Sequence, residues 1–254
     1  MSGGDWTTVP LAWGGSLRFA SPGGAARPSG CRLWASAVAL CGTLSRLLEP
    51  PAKPPGSPEG VPRRTLRVLE LGAGAGAPGL LAAALGCAEV VVSDAGEEAL
   101  GLLRGNVRRF RTAASAGAVD RLAATRLDFG SAEELAVLAG RFDLVLAADC
   151  CYERGAAGRL ATAVETLLAP SGMALLADRD RPLGGSDGPV RARLRGDLER
   201  FGISVDELDA SRGFAEGLAI MGVPGDLVTA LIDGRSFILR AVRRPPVVAL
   251  DEMD

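Results

Sequence analysis

The chain has 254 residues, 48% of them hydrophobic, enough for one large α/β domain or two small ones with a full core and no covalent staples. Acidic and basic residues nearly balance, 30 against 28, for a net charge of −2, which excludes a bulk nucleic-acid or membrane-surface binder; no nucleic acid or membrane is expected as a partner, and a monomer is expected. Histidine is absent, so the usual base near neutral pH and the commonest metal ligand are missing, and no metal is expected.

Residues 1–30 read as an N-terminal extension in which Trp6 and Trp13 sit among Gly, Ser and Pro, and the alternation Ser16-Leu17-Arg18-Phe19-Ala20 predicts a small strand or hairpin. Leu33 to Leu48 repeats apolar residues at helical spacing and predicts an amphipathic helix, too short and too interrupted by Arg46 to span a bilayer. The proline-rich stretch 49–62 predicts a surface loop or stiff spacer. Strand and helix then alternate: strands at 66–71, 89–93, 122–127, 142–148 and 173–177, helices at 80–85, 97–110, 132–139, 156–168 and 190–201, with Pro170-Ser171-Gly172 as a turn. The strands are apolar throughout, which points to a parallel sheet covered on both faces. Ile203–Leu208 and Ser236–Val242 read as an antiparallel pair closing the sheet edge, with the Gly-rich stretch 213–232 between them partly helical. The expected fold class is therefore α/β: a Rossmann-like, mostly parallel seven-stranded sheet with helices on both faces and an antiparallel C-terminal edge strand. It spans 31–243, with an insertion at 211–233 and a tail at 244–254.

Five cysteines, an odd number without a C-x-x-C spacing, argue against a disulfide framework or a zinc site and for a reducing compartment, cytoplasm or nucleus. The N-terminus lacks a basic segment followed by an apolar one, so no signal peptide is expected. Three arginine clusters, Arg63-Arg64, Arg108-Arg109-Arg111 and Arg191-Arg193-Arg195, read as solvated helix faces.

The richest local signal is Val68-Leu69-Glu70-Leu71-Gly72-Ala73-Gly74-Ala75-Gly76, between the first strand of the alternating part and its helix. Glycines let the backbone turn sharply and approach a ligand, and the helix N-terminus offers free N–H groups. Asp94 ends the next strand, where a carboxylate can accept bonds from two ribose hydroxyls. A dinucleotide site has similar spacing, since Gly72, Gly74 and Ala77 fit G-x-G-x-x-G/A. Against it, Glu70 places a carboxylate where a pyrophosphate would sit, which suits a ligand with a sulfonium and an α-amino group instead. Nor is there a Tyr-x-x-x-Lys pair for hydride chemistry, Tyr152 being the one tyrosine and Lys53 the one lysine.

Phe142-Asp143-Leu144-Val145-Leu146-Ala147-Ala148-Asp149 runs from a buried strand into Cys150-Cys151-Tyr152-Glu153. Ligands of open parallel sheets bind beyond the carboxyl ends of the strands at the topological switch, so Asp149 and Tyr152 fall beside the reacting end of a ligand held at Gly72 to Gly76. Their bland readings are a helix cap and a core-edge aromatic.

With these motifs the chain resembles the class I, seven-β-strand S-adenosylmethionine-dependent methyltransferases. Within them it is similar to the methyltransferase-like non-histone protein lysine methyltransferases, which pair E-L-G-x-G-x-G with an acidic strand-two end and D-x-x-Y after strand four. The likeness runs from about residue 30 to residue 181. It implies S-adenosyl-L-methionine as cofactor and lysine side chains of a protein as acceptor. It implies cofactor contacts from Trp34, Glu70, Gly72, Ala73, Gly74, Asp94, Phe129 and the backbone at Ala148, with Asp149 and Tyr152 at the reacting end. Phe129 replaces the usual Trp after strand three, Ala35 departs from the acidic residue or proline that usually follows the tryptophan, and Asn106 reads as structural. The resemblance further implies in-line attack on the methyl group, with Asp149 orienting the amine rather than acting as a strong base, because an ordinary Asp is too acidic for that. The 49–62 loop and the 211–233 insertion are not typical of the group and leave the target open. Remaining readings are methyl transfer to a small molecule or other acceptor, an NAD-dependent oxidoreductase, and a binding module without turnover.

Overall fold

The computed structural model describes residues 6–12, 14–20, 28–48, 65–113, 122–182, 188–228 and 235–243; the proline-rich stretch 49–62, Trp13 and the tail 244–254 lie outside them. The chain opens with a hairpin of β1 (Trp6–Pro10) and β2 (Ser16–Ala20), followed by α1 (Ala35–Leu48). Next come β3 (Arg67–Leu71), α2 (Ala77–Ala84), β4 (Glu89–Asp94), α3 (Glu97–Ala113) and β5 (Leu122–Arg126). Then follow α4 (Ala132–Ala136), β6 (Phe142–Ala148), α5 (Ala156–Leu167), β7 (Leu168–Arg179) and α6 (Val190–Arg200). The described chain closes with β8 (Ile203–Leu208), α7 (Ala210–Met221) and β9 (Ser236–Arg243).

The seven-stranded sheet has the order β5-β4-β3-β6-β7-β9-β8, parallel except for β9, which runs antiparallel to both β7 and β8. This is the expected class. Because successive side chains of a strand point to opposite faces, each central strand feeds two cores. Val68, Leu144, Leu146 and Ile238 pack under α1, α2, α3 and α7, whereas Leu69, Leu71, Val145 and Phe237 pack under α5 and α6. Burial on both faces explains why these strands read as continuous apolar runs. The chain winds outward from β3 through β4 to β5 and returns to β6 on the other side of β3, so the winding reverses between β3 and β6. That switch point opens a crevice at the carboxyl ends of the strands.

Three local readings change. β7 starts at Leu168, not after the Pro170-Ser171-Gly172 turn. Phe142 pairs with Leu168 but Leu144 pairs with Met173, so those residues form a bulge inside the strand, with Ser171 in the left-handed region at φ 65°. The helix expected over 132–139 stops at Ala136, and the one expected from Leu33 starts at Ala35, with the Trp34 carbonyl accepting from Ala37 N at 3.1 Å. Within the 211–233 stretch the chain forms α7, capped by Asp209, whose carboxylate accepts from Arg212 N at 2.9 Å, and packed along α1.

The hairpin is tied to the sheet by Asn106 of α3, which is fully buried. Its Nδ2 donates to Arg18 O (2.9 Å) and to Ala75 O (2.8 Å), and its Oδ1 accepts from Arg18 N (3.0 Å). One side chain thus pins β2, α3 and the Gly-rich turn together.

Candidate active site

A cavity of about 630 Å³ lies over the switch point, within the range of about 300–1,000 Å³ usual for small-molecule sites. All ten residues singled out from the sequence line it: Trp34, Glu70, Gly72, Ala73, Gly74, Asp94, Phe129, Ala148, Asp149 and Tyr152. They reach it from the ends of β3, β4 and β6, the loop after β5, and the entry to α1.

The floor is the turn after β3. Ala73 N donates to Ser93 O at 2.8 Å, and Ser93 Oγ donates to Glu70 O at 2.8 Å, which locks β3 to β4. Gly74 is left-handed at φ 52°, and a Cβ there would lie 2.5 Å from Gly30 O, so only glycine fits. The Asp94 carboxylate accepts from Gly74 N and Gly96 N, each at 2.9 Å. A carboxylate has about four acceptor positions, so lone pairs remain for two vicinal hydroxyls.

Glu70 differs from its sequence reading as a free anion. It is buried, and its Oε2 accepts from Gly79 N in the first turn of α2 at 2.8 Å. Burial, opposed by the Gly79 bond and helped by Asp94, pushes its pKa up to about 8. The carboxyl therefore holds its proton at neutral pH. A Cβ on Gly79 would sit 2.7 Å from that carboxyl oxygen and 2.2 Å from Val92 Cγ1, so this close approach requires glycine.

Trp34 is half-buried at the mouth of α1, its Nε1 donating to Ser29 O at 3.0 Å. Phe129 is half-buried in the loop after β5 and stands at the wall between this cavity and a second one of about 350 Å³ under α5 and α6. An aromatic face at the end of β5 suits a flat heterocycle.

At the β6 end, Asp149 has φ 56° and its N donates to Ala177 O at 2.9 Å. It does not cap α5, whose N-cap is Gly155, and Tyr152 is 63% exposed rather than a core-edge aromatic. One Asp149 oxygen accepts from Arg181; the other accepts from Ser36 Oγ at 3.5 Å. Arg181 also donates to Asp178 Oδ1 at 2.9 Å, and buried Asp178 accepts from Cys151 N at 2.8 Å. Burial raises Asp178 to about 6, with Asp149 adding to the rise and Arg181 opposing it. Burial alone would lower the Arg181 pKa, and Asp149 and Asp178 more than offset that. Burial and then Glu153 raise Tyr152, so its phenol stays neutral.

Arg181, Asp178 and Ser36 were not singled out from the sequence. The available signal was topological: β7 neighbours β6, so the residues at its carboxyl end must flank the same crevice. Among the described residues, no cluster of Cys, Asp and Glu is arranged to hold a metal.

Sheet order, glycine turn and acidic strand ends define a class I S-adenosylmethionine-dependent methyltransferase. The chain belongs to the lysine methyltransferase family, whose description matches residues 16–187. Its fold is similar to that of magnesium protoporphyrin IX methyltransferase from Synechocystis PCC 6803, solved with bound S-adenosylhomocysteine (16% identity, 82% of this chain and 83% of that one, TM-score 0.52). It is also similar to the ribosomal protein L11 methylase of Lactobacillus delbrueckii subsp. bulgaricus (17% identity, 82% and 77%, TM-score 0.50). A third likeness is to the CurJ carbon methyltransferase (18% identity, 73% of this chain, TM-score 0.51), of which this chain spans half the length. The cofactor is thus S-adenosyl-L-methionine. The donor set fits it: a bidentate acceptor at Asp94, an aromatic at Phe129, and a buried carboxyl at Glu70 that can ionise towards a cationic ligand.

Proposed function

We propose that this methyltransferase modifies lysine side chains of a protein substrate. The observation that supports it is the Asp149 carboxylate at the end of β6, with Tyr152 exposed three residues on, both lining the cofactor cavity. Trp34, Glu70, Gly72, Ala73, Gly74, Asp94, Phe129 and Ala148 hold the cofactor in this reading. When bound, the cofactor supplies a methyl group on a positively charged sulfur.

The protein contributes placement. Asp149 accepts a hydrogen bond from the incoming amine and aligns its lone pair, a geometric contribution to rate. To do so it exchanges part of its contact with Arg181 for the substrate nitrogen. Water takes the ammonium proton before attack, because the Asp149 carboxylate is already engaged by Arg181. Tyr152, neutral and exposed, lies along the aliphatic stem of the lysine and narrows the entry.

Purified chain incubated with methyl-labelled donor and cell lysate tests this. Label on lysine Nε of a protein, lost in Asp149→Ala while S-adenosylhomocysteine affinity stays within about tenfold, is the expected result. Label recovered only in small molecules, or undiminished in Asp149→Ala, overturns it.

A further inference from the structure

Among the described residues most arginines meet a carboxylate. Arg191 pairs with Asp180 and Glu207, Arg193 and Arg200 with Asp197, and Arg240 with Asp206. The groove between the hairpin and α3 breaks that pattern. Arg18 from β2 and Arg108 and Arg109 from α3 line a cavity of about 460 Å³ together with Trp6. Among the described residues none of the three guanidinium groups is paired with a carboxylate, although Glu98 lies on the groove's rim. The Arg18 guanidinium lies 4.9 Å from the centre of the Trp6 ring, and Arg109 reaches only the Asn106 amide oxygen, at 3.5 Å.

The groups crowd one another. Burial first, then Arg18 and Arg108, lower the Arg109 pKa. The arrangement is also held in place, because both backbone bonds of Arg18 to Asn106 fix β2 against α3. Gly101 leaves the helix face open, and the Arg109 guanidinium lies close over Gly105, where a Cβ would stand 3.0 Å from its Nη1. Guanidinium forks beside an aromatic, without a carboxylate partner among the described residues, make a site for carboxylate or phosphate groups.

We propose that this groove binds an acidic segment of a protein partner. A nucleic acid is the weaker fit: the groove is short and confined, whereas single strands are held by a basic track with successive stacking platforms, and the chain as a whole carries a net charge of −2. Glu98 also lines the cofactor cavity, so the groove adjoins that cavity on its β4 side. The proposal stands whether or not lysine is the methyl acceptor.

The test is fluorescence anisotropy of a labelled hexaglutamate peptide titrated with the full chain, with a phosphoserine peptide and a single-stranded oligonucleotide as competitors. Saturable, salt-sensitive binding is expected, weakened about tenfold or more in Arg108→Glu and in Arg18→Gln but within about twofold in Arg200→Gln. S-adenosylhomocysteine affinity and melting temperature should be unchanged in all three. Displacement by the phosphoserine peptide would extend the same site to phosphorylated segments. No saturable binding, equal binding in all variants, or stronger binding of the oligonucleotide through the same arginines would overturn the proposal.

Discussion

Arg181 holds Asp149 and Asp178 at once, so the carboxylate at the cavity mouth and a buried carboxylate behind it share one cation. The pairing ties Asp149 to Arg181 at the cavity mouth while Asp178 organises the turn through Cys151 N. In the proposed function, a substrate amine competes with an internal cation for the same oxygen. Arg181→Leu should therefore both destabilise the fold and blunt catalysis. Loss of the partner should cost about 2 kcal/mol, less than a fully buried pair because Arg181 is partly exposed, which lowers the melting temperature by roughly 5 °C. Asp178, already raised by burial, should rise further without its cation. Stability would then go on falling to a higher pH than in the parent chain, because the fall begins at the ordinary carboxyl value and ends only at the raised folded one. Thermal melts across pH check this; a parent-like melting profile in Arg181→Leu would refute it.

Asp94→Ala should weaken the cofactor more than the fold. It removes the acceptor for Gly74 N and Gly96 N and, in the proposed contact, for two hydroxyls. Hydrogen bonds to a charged group are worth about 1.5–3 kcal/mol each, so losing two should lower S-adenosylhomocysteine affinity about 100-fold or more by calorimetry. An unchanged affinity would displace the ribose from this strand end.

Glu70 makes stability and binding depend on pH. Its folded pKa, about 8, lies above the ordinary carboxyl value of 4.5, so its contribution is complete below about pH 4.5 and is lost as pH rises through about 8. Asp178 acts in the same direction at lower pH, being raised to about 6. Glu70→Gln should abolish the stability slope between about pH 6 and 8, lessen it between about 4.5 and 6, and leave only the contribution of Asp178. If the cationic end of the ligand reaches Glu70, binding near neutral pH releases a proton, visible as a dependence of the calorimetric heat on buffer ionisation. A buffer-independent heat would place the ligand's charge elsewhere.

What was readable in the sequence was what is written locally. The glycine turn, Asp94 and Asp149 each sit at a strand end within a few residues of their signal, and apolar strand runs announced a two-faced sheet. Glu70 was legible in position but not in protonation, because its state depends on burial and on Gly79 nine residues away. Arg181 lies 32 residues beyond Asp149, on a strand whose adjacency is fixed only by the folded order. Arg108 and Arg109 read as a solvated helix face because Arg18, which crowds them, is some 90 residues away, with its backbone bonded to Asn106 at a separation of 88. The stretch between β8 and β9 looked like an insertion for the same reason: its partner is α1, near the other end of the chain.

That last contact makes its own prediction. A Cβ on Gly217 of α7 would lie 1.9 Å from Val38 O, one on Gly213 2.7 Å from Ala39 O, and one on Gly42 of α1 2.1 Å from Gly213 O. The two helices therefore meet backbone to backbone, and neither can yield without sliding along the other. Gly217→Ala should destabilise by about 3 kcal/mol, at the upper end of overpacking costs, because the obstacle is backbone rather than a movable side chain. Gly196→Ala in α6 meets nothing within 4 Å and should stabilise by about 0.5–1 kcal/mol through helix propensity alone. Urea unfolding of the two variants, the same substitution in two helices, should give shifts of opposite sign. Equal shifts would mean that α1 and α7 are not in such close contact.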